Sequence, residues 1–465
     1  MPSPGSRPML RRVLIAVAAV MVVVGIVVVV VILHSPGNVS HPNLSFTQPT
    51  TTAPPAPAKP KPKAVAAFEW PRYGYDGGRT RYFDAPASLV PPFRVGWRFN
   101  DGALLEFPPV IFGHTMYVLD DDGAARAINT ATGHVDWFHK IGTLAAASPA
   151  IYARRQLAIM VLLSVNGHSP GGGYVDALSM RTGRIVWSHP IAPGSESSPI
   201  VWGSTVYFGD QSGTVYSIDA ANGHVNWTYH ASGPVKGGPA LVNGILYFGD
   251  YAGRAYALHA DTGRPLWAVT TSGAQFGFGS GNFYSTPAVA FGRVYMGNTD
   301  GFVYSFAART GAVAWATNTG AYVYASAAVA DIKGLGPTVY LGSYNGDFYA
   351  FNAQSGAVRW AHPAGGKISG AATIVGNDIY YSDLGSKSTT GLNARTGKVV
   401  FTYPDGAFNP VIADYGTIYM DGYGEIYQLL PKARATPHRA VRAARSKPRR
   451  KAHRASSHHR ARRGR

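Results

Sequence analysis

The chain of 465 residues is 46% hydrophobic and 14% charged, with 55 Gly, 33 Pro and no Cys. A charged fraction below the roughly 25% of ordinary globular chains excludes a disordered protein and indicates a large folded body. The Gly and Pro content disfavours a helical bundle, and the 27 Tyr and 20 Phe favour strands. Without Cys the chain forms no disulfides, Cys-ligated zinc sites or iron–sulfur clusters and performs no thiol catalysis.

The net charge of +18 is concentrated at the two ends of the chain. Residues 432–465 contain 14 Lys and Arg and no acid, and six more bases precede Phe68. The 22 bases and 24 acids in between give the central part a net charge of −2. A groove that follows phosphates needs a concentrated basic face. The central part has no surplus of bases for one, which argues against nucleic acid as the partner.

Residues 13–33 form a run of 21 residues without a charged or polar side chain. A helix of this length spans roughly 31 Å, which matches the hydrocarbon core of a bilayer. Arg7, Arg11 and Arg12 precede the run, and this predicts a cytoplasmic N-terminus and an extracytoplasmic remainder. The alternative is a cleaved signal peptide, but the run is longer than a typical apolar signal region and a His-Ser-Pro sequence follows it. We therefore expect a single-pass cell-membrane protein.

The remaining segments differ in composition. Residues 34–67 are rich in Pro, Thr and Lys, and we expect an extended stalk. The basic C-terminal segment has almost no large apolar residues, so we expect a disordered polycation that binds an anionic surface. The predicted organisation is a cytoplasmic N-terminus (1–12), a transmembrane helix (13–33), a linker (34–67), a folded domain (68–431) and a basic tail (432–465).

A Gly-x-x-x-Trp unit recurs along the folded domain and ends in one degenerate copy with Phe401. Together with Trp97, which lacks the Gly, the repeat provides eight aromatic positions with an average spacing of about 43 residues, a period typical of four-stranded propeller blades. Because they take the same place in every unit, we expect these residues to pack between blades. They are Trp97, Trp137, Trp187, Trp227, Trp267, Trp315, Trp360 and Phe401.

Each unit contains four short strands separated by turns rich in Gly, Asn and Asp. The last unit, residues 410–430, has three strands and no Trp-bearing fourth. The segment around Trp97 is a fourth strand without a unit of its own. We therefore predict an all-β, eight-bladed propeller whose last blade is completed by the N-terminal strand, which leaves no open edge in the ring.

The strand pattern before each Thr-Gly-x-x-x-Trp ending resembles the pyrroloquinoline quinone (PQQ)-like repeat over about residues 68–430, and the Trp70-to-Thr80 segment resembles the start of such domains. The repeat occurs in quinoprotein alcohol dehydrogenases and in the BamB-like assembly scaffolds. The dehydrogenases bind PQQ and calcium and carry a pair of adjacent Cys, which this chain lacks. No convincing calcium ligands are identifiable. We predict no cofactor, with PQQ and calcium as the alternative.

Two other patterns have a structural interpretation and a functional one. The run Asp120 to Gly123 suggests calcium, but the equivalent turns lack the acidic run, which favours a hairpin turn. The tail histidines, His438, His453, His458 and His459, are more typical of a solvated basic segment than of a metal site. No catalytic Ser-His-Asp or HExxH arrangement is readable, so no catalytic residue is predicted.

Candidate binding residues come from the loops that lead into the first strand of each unit. The position three residues before the Pro that opens the unit, or before its equivalent, varies around the ring: Glu106, Ala146, Glu196, Lys236, Tyr284, Tyr324, Ile368 and Ala407. The longest loop adds Phe276, Phe278 and Phe283, and a second aromatic loop adds Tyr322. Such loops rim one mouth of a propeller channel, and exposed aromatics there suit a sugar or a peptide. The alternative, that unselected loop positions simply vary, stays open.

These observations favour a non-catalytic, membrane-anchored propeller outside the cytoplasm that binds an envelope protein or polysaccharide. The alternative is a quinoprotein-type oxidoreductase that retains PQQ.

Overall fold

The computed structural model describes residues 13–24, 37–49, 68–166, 172–271 and 281–432. Eight sheets, each with four antiparallel blade strands, follow one another along the chain, and the first strands of successive sheets contact one another around a central axis. This is the predicted eight-bladed, all-β propeller. Residues 276 and 278 and the four tail histidines lie outside the described residues.

Each of blades 1 to 4 contains four consecutive strands, ordered from the axis outwards. The bounds are, for blade 1, β5 Val110–Phe112, β6 Thr115–Leu119, β7 Ala124–Asn129 and β8 Val135–Lys140; for blade 2, β9 Ala150–Tyr152, β10 Leu157–Val161, β11 Gly173–Ser179 and β12 Ile185–Ile191; for blade 3, β13 Ile200–Trp202, β14 Thr205–Gly209, β15 Thr214–Asp219 and β16 Val225–His230; for blade 4, β17 Ala240–Val242, β18 Ile245–Gly249, β19 Arg254–His259 and β20 Pro265–Thr270. A 3-10 turn, Ala153–Arg155, separates β9 from β10.

Blades 5 to 7 repeat this order, and blade 8 takes its outermost strand from the N-terminal side of the domain. The bounds are, for blade 5, β21 Ala288–Ala290, β22 Arg293–Gly297, β23 Phe302–Ala307 and β24 Val313–Asn318; for blade 6, β25 Ala328–Ile332, β26 Gly336–Gly342, β27 Asp347–Asn352 and β28 Val358–Pro363; for blade 7, β29 Thr373–Val375, β30 Asp378–Asp383, β31 Ser388–Asn393 and β32 Val399–Tyr403; for blade 8, β33 Val411–Ala413, β34 Ile418–Asp421, β35 Glu425–Pro431 and β4 Phe93–Asn100.

The composite blade is confirmed. Strand β4 pairs antiparallel with β35, from Pro431 opposite Phe93 to Glu425 opposite Asn100. The ring therefore closes by hydrogen bonds between the two ends of the domain, as the missing fourth strand of the last unit predicted.

The repeated Trp joins each blade to the next. The indole N–H of Trp227 donates to Ala260 O at 3.0 Å, and its ring lies against Gly263, where an added Cβ would be 2.7 Å from a ring carbon. Gly263 has φ +69°, a conformation that favours glycine. The same donation to a carbonyl of the following blade is made by Trp97, Trp137, Trp187, Trp267, Trp315 and Trp360. The Trp ring of one unit thus packs against the glycine in the turn of the following unit.

Residues 68–83 fill the centre of the ring. Two short strands in this segment, β2 Glu69–Trp70 and β3 Tyr82–Phe83, pair with the first strands of blades 1 and 7. Between them, backbone carbonyls accept hydrogen bonds from the first strands of blades 2, 4, 5, 6 and 7. We call residues 68–83 the plug.

Arg79 holds the plug in place. Its fully buried guanidinium donates to Tyr73 O at 2.6 Å, Pro239 O at 2.9 Å, Ser198 O at 2.9 Å and Pro199 O at 3.2 Å. Burial lowers the pKa of Arg79, and the neighbouring Arg81 charge lowers it further. The carbonyl dipoles of blades 3 and 4 and of the plug solvate this charge in place of a carboxylate.

Residues 37–49, part of the expected stalk, lie along the outer edge of blade 5. Strand β1, Val39–Ser40, pairs antiparallel with β24 and makes this blade five-stranded. Buried Arg293 donates to the carbonyls of Leu44 and Ser45, and its guanidinium lies 5.6 Å from the centroid of the Phe46 ring. We call residues 37–49 the clamp. Here the structure differs from the extended chain that composition predicted.

The N-terminal apolar run is described over residues 13–24, which form a helix. Among the described residues, no helix has both the length and the apolarity needed to cross a membrane. Residues 25–33 of the expected span lie outside the described residues.

Strand directions define two faces of the propeller. At one end, the last strand of each blade leads to the first strand of the next, and the turns between second and third strands lie there too; we call it the mouth face. The opposite end carries the turns between first and second strands and between third and fourth strands. We call it the turn face.

Candidate functional site: the aromatic rim of the mouth face

The rim is formed by one residue from each of several blades, which lies four positions before the first residue of the blade's first strand. Glu106, Glu196, Lys236, Tyr284 and Tyr324 take this position before Val110, Ile200, Ala240, Ala288 and Ala328. Each is partly exposed at the mouth face. The structure thus places these predicted site residues at equivalent positions around one opening.

Two positions inferred for blades 7 and 8 are one residue out of register. Ala240 of blade 4 pairs with Tyr247. The equivalent pairs are Thr373 with Tyr380 in blade 7 and Ile412 with Tyr419 in blade 8. The rim residues of these blades are therefore Ser369 and Phe408. Ile368 and Ala407 lie one position earlier and are buried. The misassignment has a simple cause, because these two blades lack the Pro at the usual distance.

Phe283 belongs to the core and not to the rim. Its side chain is fully buried against Gly249 and Met296. It takes the same position as Val235, Val323 and Ile368, each of which packs onto a glycine of the preceding blade. An aromatic loop residue directly before a rim position is thus an inter-blade contact.

A polar group occupies the blade 1 to blade 4 side of the rim. Lys236 Nζ lies 3.0 Å from Glu196 Oε1, and Gln211 Nε2 donates to the same oxygen at 2.6 Å. Tyr284 Oη donates to Glu106 Oε1 at 3.4 Å. The two carboxylates come from blades that are not adjacent, so the channel mouth brings them together.

The other side of the rim is a continuous arc of tyrosines. Ring centroids of successive members are 6.2 Å apart for Tyr251 and Tyr284, 5.7 Å for Tyr284 and Tyr324, and 4.8 Å for Tyr324 and Tyr344. Tyr322 lies 6.0 Å from Tyr324 and is 49% exposed. Cations flank the arc, since Lys236 lies 4.9 Å from the Tyr251 ring and Lys367 lies 5.4 Å from the Tyr344 ring.

Sequence reasoning missed Tyr251, Tyr344 and Gln211. Each is the first turn residue after the second strand of its blade, and each backbone N–H donates to a mouth-face loop carbonyl two residues before a rim residue. This position also varies from blade to blade, with Asp121 in blade 1 and Thr299 in blade 5. The variation of this position among otherwise similar units is the sequence signal that identifies these residues.

Burial shapes the electrostatics of the rim. The pKa of Glu106 is raised to about 7, by desolvation first and by the Glu196 carboxylate second, against the opposing influence of Tyr284 and Lys236. Desolvation raises the pKa of Asp121 to about 8, with Glu106 as the next cause. Around neutral pH the rim therefore changes its charge within a small cluster of carboxyls.

The plug closes the mouth from below. Tyr73 Oη donates to Asn409 Oδ1 at 3.1 Å, and Asn409 Nδ2 donates to Glu106 O at 2.6 Å. The cavity between the rim residues and Tyr73 has a volume of about 20 Å³, which holds about one water molecule. The rim is thus a surface above a closed floor.

These residues do not fit a tricyclic quinone with calcium. Cofactor pockets are typically ~300 Å³ or larger, and tyrosines and the Lys236–Glu196 pair fill this mouth. Within the described ranges, no three His, Asp or Glu side chains are grouped so as to hold a metal ion. Asp120 of the acidic run instead accepts hydrogen bonds from the Ala124 N–H and from Arg126, which is also paired with Asp101.

Comparison with known proteins supports the fold and gives the family. The chain resembles the crystal structure of BamB from Moraxella catarrhalis, at 19% identity and a TM-score of 0.59, over 73% of this chain and 100% of that chain. It also resembles quinohemoprotein alcohol dehydrogenase from Comamonas testosteroni (14% identity, TM-score 0.62, 79% and 81% of the two chains) and a europium-containing methanol dehydrogenase (14%, 0.63, 78% and 98%). At these identities the likeness extends to the fold alone.

A search of curated protein sequences finds no match. The PQQ_2 family model, described as outer membrane protein assembly factor BamB, matches residues 94–268, 171–403 and 330–433, and these overlapping matches cover most of the chain. The chain therefore belongs to this BamB-type family of PQQ-repeat propellers.

Proposed function

We propose that the protein is a non-catalytic interaction scaffold of the cell envelope, anchored in the membrane by residues 13–33, whose aromatic rim binds a protein partner. The family match and the BamB structure among its neighbours support a role in the envelope. The apolar run and the arginines before it support the anchor and an extracytoplasmic propeller.

One observation carries the assignment of the binding surface. The tyrosine arc with its flanking lysines lies over a closed floor, so it offers contact area without an internal pocket. Tyrosines supply large contact area at low conformational cost and are enriched at protein interfaces. Charged pairs such as Lys236 and Glu196 at the edge of the arc favour the correct orientation of a polar partner.

The second candidate, a PQQ-dependent oxidoreductase, is favoured by the dehydrogenases among the structural neighbours. Against it stands the mouth geometry, in which the rim and plug leave no room for the quinone. A visible absorption spectrum of the purified protein with added PQQ and calcium tests it, because a bound quinone would add a band that a rim variant abolishes.

Site-specific photocrosslinking tests the rim. A photoreactive residue at position 322 in the full-length chain, in native membranes, should give a discrete protein adduct. The matched control is position 186, where Val186 is similarly exposed on the outer strand of blade 2. Equal adducts at both positions, or none at 322, would reject the rim as the partner site.

Topology is tested separately. A reporter joined after Arg465 should be active only outside the cytoplasm, and the chain should resist extraction from membranes by carbonate. Activity of a cytoplasm-specific reporter at this position would overturn the proposed localisation while leaving the rim assignment to the crosslinking result.

A further inference from the structure

Exposed bases collect on the turn face. Ten of the 22 bases of residues 68–431 lie in its turns or at the strand ends beside them, and all ten are exposed. They are Arg94, Arg154, Arg155, Arg181, Arg184, Arg264, Arg309, Lys333, Arg395 and Lys398. Five exposed acids share this face by the same criterion: Glu69, Asp84, Asp136, Asp261 and Asp331.

The mouth face has the opposite character. Its turns carry most of the remaining carboxylates, among them Asp120, Asp210, Asp250, Asp300 and Asp383. Its loops and the strand ends beside them have three exposed lysines, Lys140, Lys367 and Lys387. Four of these five carboxylates are buried in their turns, so the near-neutral total of the domain conceals a turn face whose exposed charge is mainly basic.

Strand β35, the last strand of the propeller in the sequence, ends at the basic face. Strand β35 runs from the mouth face at Glu425 to the turn face at Pro431, where it lies opposite Phe93. Residues 432–465, with their 14 bases, continue the chain from this point.

The clamp decides which face is nearer to the anchoring membrane. Asn38 Oδ1 accepts a hydrogen bond from the Asn318 N–H at the mouth-face end of β24, and the clamp then runs down the blade to Gly292 on the turn face. Three residues lie between Leu33 and Gly37, and the four steps from one to the other reach ~14 Å at most. If residues 13–33 span the membrane as proposed, the mouth-face edge of blade 5 is therefore held close to the bilayer and the turn face is directed away from it.

We infer that the turn face is a binding surface for a linear anionic polymer other than a nucleic acid, one with repeating phosphate or carboxylate groups, on the side of the propeller away from the anchoring membrane. The choice of a polymer over lipid headgroups rests on the proposed anchor and on the clamp. Eight of the ten bases are arginines, whose planar guanidinium groups bind phosphate or carboxylate through paired hydrogen bonds.

The test compares two matched triple variants of the full-length protein in neutral-lipid nanodiscs. One replaces turn-face bases, Arg181→Gln, Arg264→Gln and Arg395→Gln. The other replaces mouth-face bases, Lys140→Gln, Lys367→Gln and Lys387→Gln. The probes are long-chain inorganic polyphosphate and polygalacturonate, titrated at several salt concentrations. A third chain, ending at Pro431, removes the contribution of the tail.

The turn-face variant should bind at least one probe about tenfold more weakly at low salt, and the slope of log affinity against log salt should fall by about 2 to 3, because each neutralised base releases about one fewer counterion. The mouth-face variant should bind as the parent does, and the chain ending at Pro431 should keep the difference between the two variants. Polyphosphate and polygalacturonate results distinguish a phosphate from a carboxylate polymer.

Several results would overturn the inference. These are equal losses in the two variants, a turn-face effect that disappears with the tail, or tighter turn-face-dependent binding to anionic vesicles or duplex DNA than to either polymer. Thermal melting of each variant checks that these exposed substitutions leave the fold unchanged. Crosslinking at position 322 is independent of this result, so failure of the rim assignment and failure of the turn-face assignment are distinguishable.

Discussion

The seat of each Trp on the glycine of the following blade predicts a specific energetic coupling between Trp227 and Gly263. Gly263→Ala places a Cβ 2.7 Å from the Trp227 ring at a residue with φ +69°. The left-handed conformation costs an alanine about 1 to 2 kcal/mol, and displacing the ring costs about 1 to 3 kcal/mol more. Trp227→Ala removes a half-buried ring and its hydrogen bond to Ala260 O, at about 3 kcal/mol.

The chain offers a control for the backbone part of this cost. Gly244 is in the same blade, has φ +75°, and has no atom within 4 Å of an added Cβ. Gly244→Ala should therefore cost only the conformational part, about 1 to 2 kcal/mol. The difference between the two glycine variants measures the contact with the ring.

In the double variant Trp227→Ala with Gly263→Ala the ring is gone, so the second substitution should cost no more than Gly244→Ala does. The coupling free energy in a double-mutant cycle, measured by urea unfolding followed by far-UV circular dichroism, should be about 1 to 3 kcal/mol. Additive single effects, or equal costs for Gly263→Ala and Gly244→Ala, would refute the interlock as the link between blades.

Four further outcomes are expected. A chain beginning at Phe68 should fold but have a lower melting temperature than the chain that includes the clamp. A chain beginning at Asp101 should aggregate, because β35 loses its partner β4. A protein that begins at Asp101 and melts cooperatively would contradict the composite blade. Arg79→Met leaves four plug and blade carbonyls without their donor and should lower the free energy of unfolding by about 3 to 5 kcal/mol, with exposed Arg309→Met as the control. Phe46→Ala should speed hydrogen exchange at His41 and Thr47, whose N–H groups bond to blade 5, and leave exchange in blade 2 unchanged. Because the pKa of Glu106 is raised from 4.5 to about 7, its buried carboxylate destabilises the fold as the pH rises through that window. Glu106→Gln should therefore stabilise the protein at pH 8 and have little effect at pH 4.5. A gain of equal size at both pH values would contradict the raised pKa.

The sequence predicts the ring well because its information is local and repeated. The Gly-x-x-x-Trp period identifies the blades, and the missing fourth strand near residue 430 with a spare one at Trp97 predicts the closure. Five of the proposed rim residues take equivalent positions for the same reason, since each repeat carries the loop at a constant distance from its first strand.

Contacts between distant segments are not readable in this way. The clamp residues Val39 and Phe46 lie in a stretch poor in apolar residues, and their partners in blade 5 are more than 240 residues away. The burial of Arg79 is likewise hidden, because its partners are carbonyls, which every residue has. Composition identifies a segment that cannot fold alone, but it does not show whether a preformed surface is present to receive it.

Charge gives the clearest case of information lost by averaging along the chain. The central part has a net charge of −2. A small net charge excludes a basic face only if bases and acids are evenly mixed over the surface. In a propeller the turns alternate between two ends, so the Arg-bearing turns after the third strands all reach one face, and the Asp-bearing turns after the second strands all reach the other. Because basic and acidic turns alternate within each repeat, the bases collect at one end of the propeller and the carboxylates at the other. For any such propeller, bases and acids need to be counted separately for each turn position before a charged partner is excluded.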